Sequence, residues 1–139
     1  MIRKVLFQDA DIQELHSILC WLRDELAKKG LKQKIVHQIE LAVEEALSNI
    51  IEHGFENKKE KIEVGIKWSP NRLEIIIRDW APPFDPLGNP SVIDLNASLE
   101  KRQIGGLGIH IMKQSVDEFI YQRKENANVL TLIKRVSIK

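Results

Sequence analysis

Apolar residues change their spacing several times along this chain, and each change marks an element. IRKVLFQ, from Ile2 to Gln8, alternates loosely and predicts a short first strand. Ile12, Leu15, Leu19, Leu22 and Leu26 then recur at helical spacing. Asp9 or Asp11 is placed to cap that helix, and Gly30 to end it. KQKIVHQIELAVEEALSNIIEHG repeats the helical pattern and predicts a second helix closing near Gly54. KIEVGIKW and RLEIIIRD follow as two strands joined by SPN, a hairpin signal. Residues 85–104 are polar and weakly periodic, and predict one long loop with a helical turn over residues 97–101. Loops of that length inside a compact domain are usually functional or mobile. GGLGIHIMKQSV opens a short helix, and EFIYQRK and NVLTLIKRV alternate as a last strand pair around ENA. The order β-α-α-β-β-loop-α-β-β predicts an α+β fold: a two-layer α/β sandwich with a mostly antiparallel, mixed sheet and helices on one face.

Composition narrows the function classes. At 139 residues the chain fits one domain spanning 1–139, large enough to bury about two-thirds of its unfolded surface. A net charge of +1 argues against direct nucleic-acid binding, which normally needs a strongly basic face. Cys20 is the only cysteine, so no internal disulfide can form. No signal-peptide pattern is visible at MIRKVLFQDADIQ, and no apolar run approaches the roughly 20 residues of a membrane span. A reducing, cytoplasmic location without membrane contact is therefore the expectation.

The second helix carries the first candidate chemistry. At 100° per residue, Ile35, Ile39, Ala42, Val43, Ala46, Leu47 and Ile50 form a broad apolar stripe. Glu45 and Asn49 are four apart, so they neighbour one another just off its edge, and His53 falls inside it near Ala46. A border position lets the core orient a side chain that still reaches a cleft. A carboxylate there suits a general base, and an amide oxygen suits a hard cation such as Mg²⁺. Taken alone, two such polar residues are more often solvated, and a histidine in an apolar stripe is more often a satisfied core residue.

Two further segments raise the same question. DWAPPFDP, Asp79 to Pro86, leaves the most strand-like run of the chain, either as a simple proline stop or with Asp79 held at the mouth of a pocket. IGGLGI, Ile104 to Ile109, places three glycines within four residues at a loop-to-helix junction. Glycine permits close backbone approach, and free N–H groups at a helix start favour anions, so this run suits a phosphate cradle as well as a hinge. It matches neither G-x-x-x-x-G-K-[ST] nor G-x-G-x-x-G. Lys101 and Arg102 precede it, placed either to assist phosphates or as solvated loop charges.

E-x-x-x-N on a helix, D-x-x after a strand and G-G-L-G-I beyond a long loop stand in a set order. Together they resemble the GHKL ATPase superfamily, with its Bergerat fold. Within it the chain resembles the small anti-sigma-factor serine-protein kinases over nearly its whole length. VEEALSNIIEHGF is similar to that family's N-box, DWAPPFDP to its adenine box, and GGLGIHIMKQSVDEFIYQR to its glycine box with the following helix and strand.

The resemblance implies ATP and Mg²⁺ as cofactors. It casts Glu45 as the general base toward a substrate hydroxyl, Asn49 as Mg²⁺ ligand, and Asp79 as acceptor of a hydrogen bond from the adenine amino group. His53 and Ala81 join the nucleotide-binding set. Gly105, Gly106 and Gly108, with the backbone around Leu107 and Ile109, become the phosphate cradle, and residues 85–104 the ATP lid. Ala81 stands where the adenine box usually has glycine, and Pro82 pushes it toward extended backbone. The family's threonine near the last strand pair has no counterpart in NANVLTL, because Thr131 is too far along. The implied function is a serine-protein kinase that phosphorylates a STAS-type anti-anti-sigma protein and sequesters a sigma factor, with a possible homodimer. The alternative is a partner-switching module that inhibits by protein binding without transferring phosphate.

Overall fold

The computed structural model describes residues 2–11, 13–54, 60–83 and 114–136. β1 (Ile2–Ala10) leads through α1 (Leu15–Ala27) and α2 (Gln33–Asn49) to β2 (Glu60–Ser69) and β3 (Arg72–Asp79). β4 (Glu118–Lys124) and β5 (Ala127–Arg135) complete a five-stranded sheet in the order β1-β2-β3-β5-β4. Every pairing among the described residues is antiparallel, in keeping with the mostly antiparallel sheet expected from the sequence. Two hairpins account for this in part: β2 and β3, like β4 and β5, reverse directly through two-residue turns.

Alternation decides which face is covered. Ile62, Val64 and Ile66 of β2, Leu73, Ile75 and Ile77 of β3, and Leu130 and Leu132 of β5 are all buried. They share one core with Leu15, Ile18, Leu22 and Leu26 of α1 and Ile39, Ala42, Val43, Ala46 and Leu47 of α2. Both helices therefore lie on one face of the sheet. The α1 stripe differs slightly from its predicted form: Ile18 is buried and Leu19 only half-buried, while Ile12 lies outside the described residues.

Local chemistry fixes the joints. Asp11 Oδ1 accepts the backbone N–H groups of Gln13 (3.0 Å) and Glu14 (2.9 Å), which starts the turn into α1. Gly30 adopts φ +70° after α1, the left-handed conformation for which glycine is suited. Between β4 and β5, Glu125 and Asn126 have φ of 52° and 63°, matching a type I′ turn, whose hand fits the twist of the strands. α2 runs without a break into a π-helical turn at Ile50–Gly54 that keeps both Ile50 and Ile51 in the core. π turns recur at functional sites; this one begins directly after Asn49.

Candidate functional site

Asp79 is the last residue of β3 and lies in phase with Leu73, Ile75 and Ile77, so it faces the helix-covered side of the sheet. Only 2% of it is exposed. Its Oδ1 accepts the backbone N–H of Ala81 at 3.1 Å, an Asx-type turn that folds the chain back as the strand ends. The same oxygen accepts a hydrogen bond from Asn128 Nδ2 at 2.9 Å. Oδ2 has no hydrogen-bond partner among the described residues. Burial pushes the carboxyl above the usual aspartate range; the bonds from Asn128 and Ala81 and the charge of Arg123 pull against that shift.

Asn128 is the residue that sequence reasoning missed. It faces Asp79 directly in the β3–β5 register and is 3% exposed. Its Nδ2 also lies 3.3 Å from the Ala81 carbonyl and 3.1 Å from that of Pro82. Its Oδ1 accepts from Tyr121 Oη at 2.6 Å and from Arg123 Nη1 at 3.2 Å. Acceptors crowd one end of the amide and donors the other, so only one of its two orientations fits. Arg123 Nη1 additionally donates to the Ala81 carbonyl at 2.8 Å. Neither hairpin fixes the β3–β5 register that brings Asn128 opposite Asp79, so no local signal in the sequence marks it.

Ala81 is 4% exposed and belongs to the core. It is not among the described residues with positive φ, so the methyl in place of glycine imposes no backbone strain here. Lys61 Nζ lies 4.4 Å from the centre of the Trp80 ring; Lys61 alternates with buried Ile62, so this contact lies on the face of the sheet away from the helices, whereas Asp79 faces them.

Glu45 and Asn49 are both half-buried on α2, one turn apart, as expected for the border of the apolar stripe. Burial raises the Glu45 carboxyl above the usual range, and the charges of Glu44 and Glu52 add to the shift. Such a group is a better proton acceptor than an exposed glutamate. Asn49 ends α2 and offers an amide oxygen of the type that Mg²⁺ takes alongside phosphate and water oxygens. His53 enters only through its backbone in the π turn; its side chain lies outside the described residues. Gly105, Gly106, Leu107, Gly108, Ile109, Lys101, Arg102 and the whole lid segment also lie outside them. The described residues thus include the helix and strand candidates Glu45, Asn49, Asp79 and Ala81. An open groove elsewhere, between the end of α1 and the start of α2, is lined in part by Arg23, Lys34, His37 and Glu40 and contains none of the candidates. No helix among the described residues is long and apolar enough to cross a membrane.

The histidine kinase-like ATPase domain, as a family, matches residues 9–134. The chain belongs to that family. It is 28% identical over 115 residues to the serine/threonine-protein kinase BtrW of Bordetella bronchiseptica, covering 82% of this chain and 80% of that protein. To the serine-protein kinase RsbW of Bacillus cereus it is 24% identical over 106 residues, 74% of this chain and 66% of the relative. The crystal structure of the RsbU and RsbW domains of a Mycobacterium tuberculosis protein shares the fold. Its TM-score is 0.66 at 18% identity, over 96% of this chain and 32% of that one. The α+β architecture and the family resemblance agree with these matches.

Proposed function

We propose that this histidine kinase-like domain binds ATP with Mg²⁺ and transfers the γ-phosphoryl group to a serine of a STAS-type anti-anti-sigma protein, and that it holds a sigma factor by direct contact. The observation that carries the reading is the state of Asp79. A buried carboxylate has one oxygen engaged by its own turn and by Asn128, and its other oxygen unengaged among the described residues. Such an oxygen is an acceptor for the exocyclic amine of adenine. Bound Mg²⁺ and triphosphate would bring the charge neutralisation and the transferable group, with Asn49 as a ligand to the metal and the 105–109 backbone around the phosphates. Glu45, with its raised proton affinity, would take the proton of the attacking serine hydroxyl. Phosphoryl transfer asks little else of a protein beyond positioning and charge. The relatives named as serine kinases support transfer to a protein hydroxyl; partner identity and a homodimer rest on the family resemblance.

A second reading, a partner-switching module that does not transfer phosphate, is favoured by Ala81, whose methyl lies where the family has bare backbone. One experiment separates them. Calorimetry should show Mg²⁺-dependent ATP binding that Asp79→Asn weakens, and labelled ATP should pass phosphate to a STAS-type substrate with wild type but not with Glu45→Ala. ATP binding without any transfer selects the second reading, and undiminished binding by Asp79→Asn refutes the base assignment.

A further inference from the structure

Three side chains around Asp79 have been given no role so far: Tyr121 and Arg123 of β4, and Asn128 of β5. Tyr121 and Arg123 are two apart on a strand, so they leave the sheet on the same face. Both donate to Asn128 Oδ1. That pair of donors holds the amide so that its Nδ2 end meets Asp79 Oδ1 and the carbonyls of Ala81 and Pro82. Arg123 also reaches the Ala81 carbonyl directly, tying β4 at the sheet edge to the turn that leaves β3. Asp79 Oδ1 is thereby committed to protein donors, and the orientation of Oδ2 follows.

We propose that Tyr121 and Arg123 are positioning residues for base recognition, acting through Asn128 and the Ala81 carbonyl to aim the second oxygen of Asp79 at a purine 6-amino group. Without its two donors the amide can turn over, setting an oxygen against the carboxylate and releasing the turn. The inference rests on the ATP-binding reading above.

The test compares ATP with inosine triphosphate, which differs in carrying an oxo group in place of the 6-amino group. Dissociation constants with Mg²⁺ are measured by calorimetry for wild type, Arg123→Met, Arg123→Lys, Asp79→Asn and the double variant Tyr121→Phe/Arg123→Met. Wild type should prefer ATP. The double variant should lose roughly tenfold of that preference through weaker ATP binding, with inosine triphosphate affinity unchanged. Arg123→Met alone should lose part of it, and Arg123→Lys should recover most, since an ammonium can donate to both oxygens. A general loss of stability would weaken both nucleotides alike, and that result overturns the proposal, as does an unaltered ratio in the double variant while Asp79→Asn loses the preference. If wild type shows no preference, or Asp79→Asn retains it, the base reading and the positioning role fall together.

Discussion

Asp79 Oδ1 accepts a hydrogen bond from Asn128 Nδ2 at 2.9 Å across facing positions of β3 and β5, and both side chains are almost wholly buried. A neutral amide is the partner here, so the buried carboxylate is stabilised by a donor without a full countercharge beside it. Arg123 supplies charge from the sheet edge. Burial outweighs these contributions and leaves the carboxyl above its usual range.

Replacing the amide by a second acid should therefore make stability strongly pH-dependent. In Asn128→Asp, two carboxyl groups face each other and cannot both ionise cheaply, so the pair is held to one proton over a wide range. Folded proton affinity is raised, which means stability is fully present in acid and is lost as pH rises through the raised values. We expect a loss on the order of 2 kcal/mol near pH 7 relative to wild type, largely recovered only near pH 3.5, below the ordinary aspartate value of about 3.9. Thermal melts at both pH values measure this, and an equal loss at the two would contradict the coupling.

Asp79→Asn should separate stability from binding. An asparagine whose oxygen takes the Oδ1 place keeps the bonds from Ala81 N–H and Asn128 Nδ2, while the buried charge disappears. Because the native carboxyl is raised, wild type loses stability as pH climbs above the ordinary aspartate value of about 3.9, and the variant does not. Without nucleotide the variant should melt at or above the wild-type temperature at pH 7. ATP affinity should fall at least roughly tenfold, because an amide N–H₂ would confront the adenine amine. A clear drop in melting temperature would mean that the charge itself holds the turn.

The strand and helix components of this site were legible because each rests on local pattern. RLEIIIRD read as a strand ending at Asp79, and helical spacing put Glu45 and Asn49 at the stripe edge. Asn128 was not legible in that way. Its significance comes from a pairing between strands 49 residues apart in sequence, and nothing near it in NANVLTL marks it. Sequence shows which segments are strands, whereas the direction of each neighbour depends on how the segments are ordered across the sheet. The π turn after Asn49 is likewise invisible to a period of 3.6 residues, since helical spacing through Ile50 and Ile51 reads the same in either geometry.

As the proposed general base, Glu45 predicts a specific pH–rate profile. A general base acts when ionised, so a raised carboxyl moves the acid limb of kcat to higher pH than an ordinary glutamate would give. The neighbouring charges of Glu44 and Glu52 contribute in the same direction. The double variant Glu44→Gln/Glu52→Gln should shift that limb toward lower pH while leaving turnover at pH 8 nearly unchanged. Glu45→Gln should retain ATP affinity and lose roughly a hundredfold or more in transfer. A limb that stays in place in the double variant would assign the titration to another group.

The turn beside Asn128 offers a stability test that leaves the chemistry alone. Glu125 and Asn126 both sit at positive φ, a conformation that costs a non-glycine residue with a long side chain roughly 1 kcal/mol or more, and that Asn-Gly adopts readily. Glu125→Asn with Asn126→Gly keeps the Lys124–Ala127 pairing that closes the hairpin and leaves β5 in register. The expected gain is about 1 kcal/mol, seen as a rise in melting temperature of roughly 3 °C for a chain of this size. Because the register fixes Asn128 opposite Asp79, the ATP-over-inosine triphosphate preference should not move. If stability rises and the preference changes, the turn is adjusting Asn128 as well as closing the hairpin, and the clamp on Asp79 extends from β4 into the turn itself.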